Sequence, residues 1–192
     1  MTHLPDLLLA RHQVCPWWCC FTFDNPFRRL VHDPVRILSP WVHDGDTVVD
    51  IGPGMGYFTV PLARLVGPRG RVVAVDLQQQ MLDGVMRRAR RHGVADRIAP
   101  HLATRNSLGL NAQADFVLAF WMVHEVPDKA GFFTQVRALL NPGAVLLMAE
   151  PAIHVSQAAF DRSLAVARDA GLVGKGRPRI FMSCAVVLGR DD

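Results

Sequence analysis

The sequence predicts an α/β protein built on an open, doubly wound, mostly parallel sheet with helices on both faces. From residue 46 onward, short apolar runs alternate with segments of helical period. The first of those runs ends in a glycine-rich loop, at the point where a buried strand should turn into a helix. The chain closes on two further strand-like segments with no helix between them. Successive β/α units followed by a strand pair imply a single layered sheet covered on each side.

Thr47-Val48-Val49-Asp50-Ile51 is the first strand, and Gly52-Pro53-Gly54-Met55-Gly56 follows it. Glycine lacks Cβ, so alternate glycines let the backbone take positive φ and lie against a ligand. The helix expected over 57–66 begins there and offers unpaired N–H groups. Pro61 falls in its first turn or just beyond, where a missing N–H costs little. Gly67-Pro68-Arg69-Gly70 turns the chain into a second strand, Arg71 to Asp76. A helix over 78–92 carries Met81, Leu82, Val85, Met86 and Ala89 at helical spacing, and Gly93 caps it. A short third strand lies near 97–102, and Asp115 to Trp121 is a continuous apolar run of the kind buried on both faces. Asp128 caps a helix over 129–140 that stops at Asn141-Pro142-Gly143. A fifth strand spans 144–150, a helix over 156–170 ends at Gly171, and 172–189 reads as two strands meeting near Phe181-Met182-Ser183.

Half of the 192 residues are hydrophobic, enough for one full core. No stretch approaches the ~18 uncharged apolar residues of a membrane span. The apolar patch Leu7-Leu8-Leu9-Ala10 lacks both a basic leader and a small-residue cleavage site, so a soluble, cytoplasmic protein is expected. The formal net charge is +4 and the isoelectric point about 9.2. Arg87, Arg88, Arg90 and Arg91 cluster on the outer face of one helix, which can attract nucleic acid. No aromatic residues interleave with them to stack bases, so a solvated face is expected and nucleic acid is not the expected partner.

Residues 1–45 differ in character from the ligand-binding domain expected over 46–192. They are rich in aromatic residues, and Asn25-Pro26 and Asp33-Pro34 each place a cap residue before a proline at the first helical position. Short helices over the C-terminal edge of the sheet are expected, with Trp17, Trp18, Phe21 and Phe23 forming either a lid over a ligand or plain core. His12, Cys15, Cys19 and Cys20 bring together soft ligands that could hold zinc or a thiophilic substrate. Pro16, the adjacent cysteine pair and the missing second C-x-x-C favour free cysteines acting as small hydrophobes, and no metal site is expected.

The glycine spacing separates two kinds of ligand. Dinucleotide sites use G-x-G-x-x-G. Here the third glycine comes one residue early, and Asp50 stands at the end of the strand before it. Asp76 ends the next strand about 20 residues on, where nucleotide folds place the carboxylate that accepts hydrogen bonds from ribose hydroxyls; a turn or cap residue is the alternative. This pattern resembles motif I of the class I, Rossmann-like S-adenosylmethionine-dependent methyltransferases. From about residue 25 onward the chain is similar to their small-molecule branch, near the quinone-biosynthesis and arsenite methyltransferases. The resemblance is carried by Asn25 to Leu30, the glycine loop, Val73 to Asp76, Ala119 to Asp128, and Leu140 to Ala144.

The resemblance implies a seven-stranded sheet whose last strand, Cys184 to Gly189, runs antiparallel to the rest. It implies S-adenosylmethionine as cofactor, with Asp50, Gly52, Pro53, Gly54, Gly56 and Tyr57 at the methionine end. Asp76 would hold the ribose, Leu77 one face of the adenine, and Phe120 and Trp121 would border the sulfonium. Relatives carry an acidic residue after strand three for the adenine amino group, whereas Ala103-Thr104-Arg105-Asn106-Ser107 stands here. Thr104 and Asn106 are the uncharged acceptors available.

Methyl transfer from a sulfonium is an in-line displacement, accelerated mostly by alignment in a dry cavity. A general base is needed only for an acceptor that arrives protonated. His124 and Glu125 stand just past strand four, at the edge where ligands bind, and are the catalytic candidates. A histidine bonded to nearby backbone is the alternative. Methylation of a small, apolar or soft-atom acceptor is therefore expected. An RNA or protein methyltransferase and a non-catalytic cofactor-binding regulatory protein are the other readings, the RNA reading weakened because no Asn/Asp-Pro-Pro-aromatic motif follows strand four.

Overall fold

The computed structural model describes residues 31–191, and within them seven strands form one sheet. In chain order these are β1 Thr47–Ile51, β2 Arg71–Asp76, β3 Ile98–Leu102, β4 Ala114–Phe120, β5 Leu140–Pro151, β6 Leu172–Gly176 and β7 Ser183–Arg190. The helices are α1 Pro34–Leu38, α2 Thr59–Leu65, α3 Gln79–Arg91, α4 Lys129–Leu139 and α5 Gln157–Asp169. The expectations placed on Trp17, Trp18, Phe21, Phe23, Asn25-Pro26 and Cys15, Cys19 and Cys20 lie outside the described residues.

Strand order is β3-β2-β1-β4-β5-β7-β6, parallel except for β7, which pairs antiparallel with both β5 and β6. The expected antiparallel last strand is therefore present. The chain winds outward from β1 to β3, then returns to the other side of β1 at β4. That reversal opens a crevice at the carboxyl ends of β1 and β4, the place where open α/β sheets bind ligands.

Successive strand residues point to opposite faces, so each strand feeds two cores. On one face Val48, Phe116, Leu118 and Leu147 pack with Leu38, Leu62, Leu82 and Val85 from α1, α2 and α3. On the other, Val49, Ile51, Val117, Leu146 and Met148 pack with Phe133 and Val136 from α4 and Phe160 from α5. β4 serves both, being buried at every position except Asp115. Full burial of a side chain such as Phe116 or Leu147 is worth roughly 1.5–3 kcal/mol each, which places the stability of the sheet in its centre.

The caps follow the sequence. Asp33 accepts from the Val35 and Arg36 amides with Pro34 behind it, Asp128 accepts from Gly131 N, and Ser156 accepts from Ala159 N. Two boundaries differ from expectation. α2 starts at Thr59 rather than 57, because the chain from Gly54 to Phe58 is spent on turns around the glycine loop. Asn141-Pro142-Gly143 does not separate α4 from a later strand but forms a bulge inside β5. Leu140 pairs with Ala114, and pairing resumes only at Val145 with Phe116. Proline cannot donate to the ladder, so the segment bows out, and Asp115 opposite accepts from Asn141 Nδ2 at 2.7 Å and from Thr47 N at 2.9 Å. No helix among the described residues is long and apolar enough to cross a membrane.

Candidate functional site

Asp50 sits near the end of β1, 2% exposed, and its Oδ2 accepts from Thr59 Oγ1 at 2.7 Å. This bond ties the strand to the first turn of α2, so the glycine loop between them is held at both ends. Gly52 has a φ of 68°, and a Cβ there would stand 3.0 Å from Cβ and Cγ of Met122. Left-handed backbone and close approach both demand glycine. Gly56 answers a different need. At φ 83° its missing Cβ would lie 3.3 Å from the Val85 Cα in α3, so it seats the loop on that helix and does not line the cavity.

Asp76 ends β2 beside this loop, and its Oδ1 accepts from Gln78 N at 2.9 Å. It thus makes the local turn bond while still facing the cavity. Burial raises the Asp50 carboxyl to about 7, against the opposing pull of the Thr59 hydroxyl, with the Asp76 charge adding to the rise. Burial likewise raises Asp76 to about 6, opposed by the Gln78 and Leu77 amides and assisted by the Glu125 charge. Leu77 next to it is 38% exposed, an apolar surface left open at the cavity edge.

The loop after β3 closes on itself. Thr104 N donates to Ser107 O at 2.9 Å and Ser107 N returns a bond to Thr104 O at 3.3 Å, while the Thr104 hydroxyl donates weakly to Ser107 O at 3.4 Å. Gln135 of α4 clamps this loop from below, accepting from Leu108 N at 2.8 Å and donating to Asn106 O at 3.3 Å. The sequence reading missed Gln135, and a polar residue on an otherwise apolar helix face was the signal for it.

The opposite side of the cavity is built from the ends of β4, β5 and β7. Trp121 leaves β4 with a φ of 62°, its amide donating to Ala149 O at 2.7 Å and its indole to Ser183 Oγ at 2.9 Å. A bulky residue in left-handed backbone is strained, and such strain collects at ligand sites. His32, 1% exposed, presents its ring edge-on to Phe120 and Trp121 at 5.3 and 5.0 Å and donates from Nε2 to Phe181 O at 2.8 Å. Tyr57 donates to His32 O at 2.7 Å, with the Arg88 guanidinium 5.8 Å from its ring centre. Arg88 thus stands over the ring of a cavity residue without lining the cavity itself.

His124 and Glu125 lie in a single 3-10 turn, Val123–Glu125. The histidine is held by a carboxylate that the sequence reading did not single out: Glu150 Oε2 lies 2.7 Å from His124 Nδ1. Glu150 closes an apolar strand just as Asp50 and Asp76 do, and that shared pattern could have revealed it. One cavity of about 620 Å³ collects Asp50, Gly52, Pro53, Gly54, Tyr57, Asp76, Leu77, Thr104, Asn106, Phe120, Trp121, His124 and Glu125. Of the cofactor and catalytic candidates among the described residues, Gly56 alone falls outside it. No cluster of metal-ligating side chains is found among the described residues.

Residues 42–170 match the family described as Methyltransferase domain. The chain belongs to that family. It is 33% identical over 110 residues to the ubiquinone/menaquinone biosynthesis C-methyltransferase of Hahella chejuensis, covering 57% of this chain and 44% of that protein. The enzyme of the same name from Enterobacter is 30% identical over 165 residues, covering 84% of this chain and 64% of its own. A ribosomal protein methyltransferase of Pelotomaculum thermopropionicum is 34% identical over 114 residues, covering 59% and 35%. The chain thus spans between about a third and two thirds of the length of these relatives. Among solved structures, a methyltransferase from Aquifex aeolicus superposes with a TM-score of 0.80 at 21% identity, covering 91% of this chain and 98% of that one. Fibrillarin from Aeropyrum pernix, solved with S-adenosylmethionine bound, gives 0.61 at 20% identity, covering 77% and 68%. These likenesses establish the fold of this methyltransferase-family chain.

Proposed function

We propose that the protein is an S-adenosylmethionine-dependent methyltransferase that acts on a small, largely apolar acceptor within this cavity. The observation that carries the reading is the pair of carboxyls, buried Asp50 and half-buried Asp76, at the ends of adjacent strands in one cavity with the glycine loop between them. The charge acting on Asp50 is that of Asp76 and the charge acting on Asp76 is that of Glu125, neither of them a cation, so their ionised forms are poorly compensated. A ligand bringing an ammonium group, a sulfonium and ribose hydroxyls supplies what they lack, and the residues present fit the cofactor.

In this reading Asp50, Gly52, Pro53, Gly54 and Tyr57 receive the methionine end, with Gly56 supporting the loop. Asp76 accepts from the ribose, Leu77 covers one adenine face, and Thr104 and Asn106 offer uncharged acceptors to the base. Phe120 and Trp121 border the sulfonium side, which keeps water from the line of transfer. The bound cofactor supplies an electrophilic methyl group. His124 and Glu125 stand where the acceptor enters, with exposed Ile153 and Met182 supplying apolar surface nearby. The relatives named for quinone biosynthesis favour a small-molecule acceptor. Calorimetry tests the reading: binding of S-adenosylhomocysteine with no binding of NAD is expected, and the reverse result would overturn it.

A further inference from the structure

The acceptor end of the cavity holds a proton-handling pair, a half-buried imidazole and a buried carboxylate. Glu150, 2% exposed at the end of β5, spends both oxygens on the protein itself. Oε1 accepts from Val123 N at 2.9 Å, while Oε2 accepts from His124 N at 3.0 Å and lies 2.7 Å from His124 Nδ1. A carboxylate so placed keeps the proton on Nδ1 and leaves Nε2, across the ring, as the basic nitrogen. The groups acting on the imidazole are Glu150 from β5, Glu125 from its own turn and Lys129 from α4, with Glu125 Oε1 3.9 Å from Nε2. Burial weakens the imidazole as a base and Lys129 adds to that, but the bond and charge of Glu150, helped by Glu125, more than reverse it.

We propose that Glu150 is a positioning residue that holds His124 as the proton acceptor of the reaction, and that the substrate is a phenol or enol whose hydroxyl proton leaves as the methyl group arrives. The inference rests on the methyltransferase reading of this cavity. The hydroxyl proton passes to His124 Nε2 and from there to water. The electron pair released, on the oxygen or on the carbon conjugated with it, forms the new bond to the methyl group. The methyl–sulfur bond breaks and its electrons remain on sulfur. Where carbon attacks, the proton on that carbon afterwards moves to the oxygen, so one proton is released on either route. The imidazolium formed on the way is paired with Glu150, and the apolar surroundings are left with no isolated charge. A soft acceptor with a free lone pair needs no such base.

The test assays wild type, H124A and E150Q with methyl-labelled cofactor on ring-substituted phenols of graded acidity, beside an aromatic amine and an aromatic thiol. For phenols that are un-ionised at neutral pH, kcat should fall about 100-fold in H124A and about 10-fold in E150Q, while KM changes less than about 2-fold. For phenols already ionised, the losses should shrink. In E150Q the acid limb of kcat/KM should move to lower pH, because the imidazole has lost its carboxylate; a merely structural Glu150 would lower the profile without moving it. Equal losses along the series, an unmoved limb, or label transferred only to the amine or thiol would overturn the proposal. If E150Q does not fold, the graded series in H124A decides alone. No labelled phenol product while S-adenosylhomocysteine still binds by calorimetry overturns the acceptor class and leaves the cofactor reading standing. Loss of that binding in the wild type overturns both.

Discussion

The two ends of the cavity are built differently. The β1–β2 end comes from two short contiguous stretches, Asp50 to Tyr57 and Asp76 to Gln78, and its tying bond joins Asp50 to Thr59, nine residues apart. The other end joins residues distant in the chain: His32 to Phe181 across 149 positions, Trp121 to Ser183 across 62, and His124 to Glu150 across 26. A site made of local turns keeps its geometry wherever its short segment recurs, which suits a ligand shared by many proteins. A site assembled from separate elements can be reshaped by changing one of them, which suits a ligand particular to one protein.

The largest expected effect lies at the local end. Replacing Asp76 with alanine should weaken S-adenosylhomocysteine binding about 100-fold, or about 2.7 kcal/mol, since ribose hydroxyls lose a charged acceptor in a buried site. Calorimetry showing unchanged affinity would break the assignment of that end to the nucleoside.

Next in size is the pH dependence of the ligand-free fold. The Asp50 and Asp76 carboxyls are raised from 3.8 to about 7 and about 6, so the folded chain keeps protons that the unfolded chain has released. Their stabilising contribution is full below the unfolded value and is lost as pH rises through 6 to 7. The melting temperature should therefore fall by several degrees between pH 5 and pH 8. Cofactor binding near pH 6.5 should release protons, seen as a binding enthalpy that changes with the buffer. A melting temperature that rises over this interval would contradict buried, uncompensated carboxyls.

The smallest effect sharpens the contrast from the far side. Trp121→Phe removes the indole bond to Ser183, worth about 1 kcal/mol, and keeps an aromatic ring against His32, Phe120 and the sulfonium side. It should raise KM for the acceptor about 5-fold and leave S-adenosylhomocysteine affinity within about 2-fold. Equal effects on both ligands would mean that the two ends do not act separately.

The residues explain which parts could be read beforehand. Apolar alternation, caps such as Asp128 and Ser156, and the Gly93 and Gly171 stops each depend on neighbours within a turn or two, so strands and helices fell within a few residues of their observed limits. Asn141-Pro142-Gly143 carries the signature of a turn, but Asp115 on the neighbouring strand accommodates it as a bulge. Gly56 had the spacing of a ligand residue, and packing against Val85 gave it a different task.

By itself the sequence determined the layered α/β architecture and the end of the cavity formed by the glycine loop and Asp76, because glycine spacing and a strand-ending carboxylate act through backbone geometry over a few residues. Only the tertiary structure decided that Glu150 meets His124. Pairing of Phe120 with Ala149 brings the ends of β4 and β5 side by side, so the carboxylate that closes one strand is delivered to the imidazole that follows the other. Register between separated strands arises from packing of the whole sheet, and no local pattern in either segment encodes it.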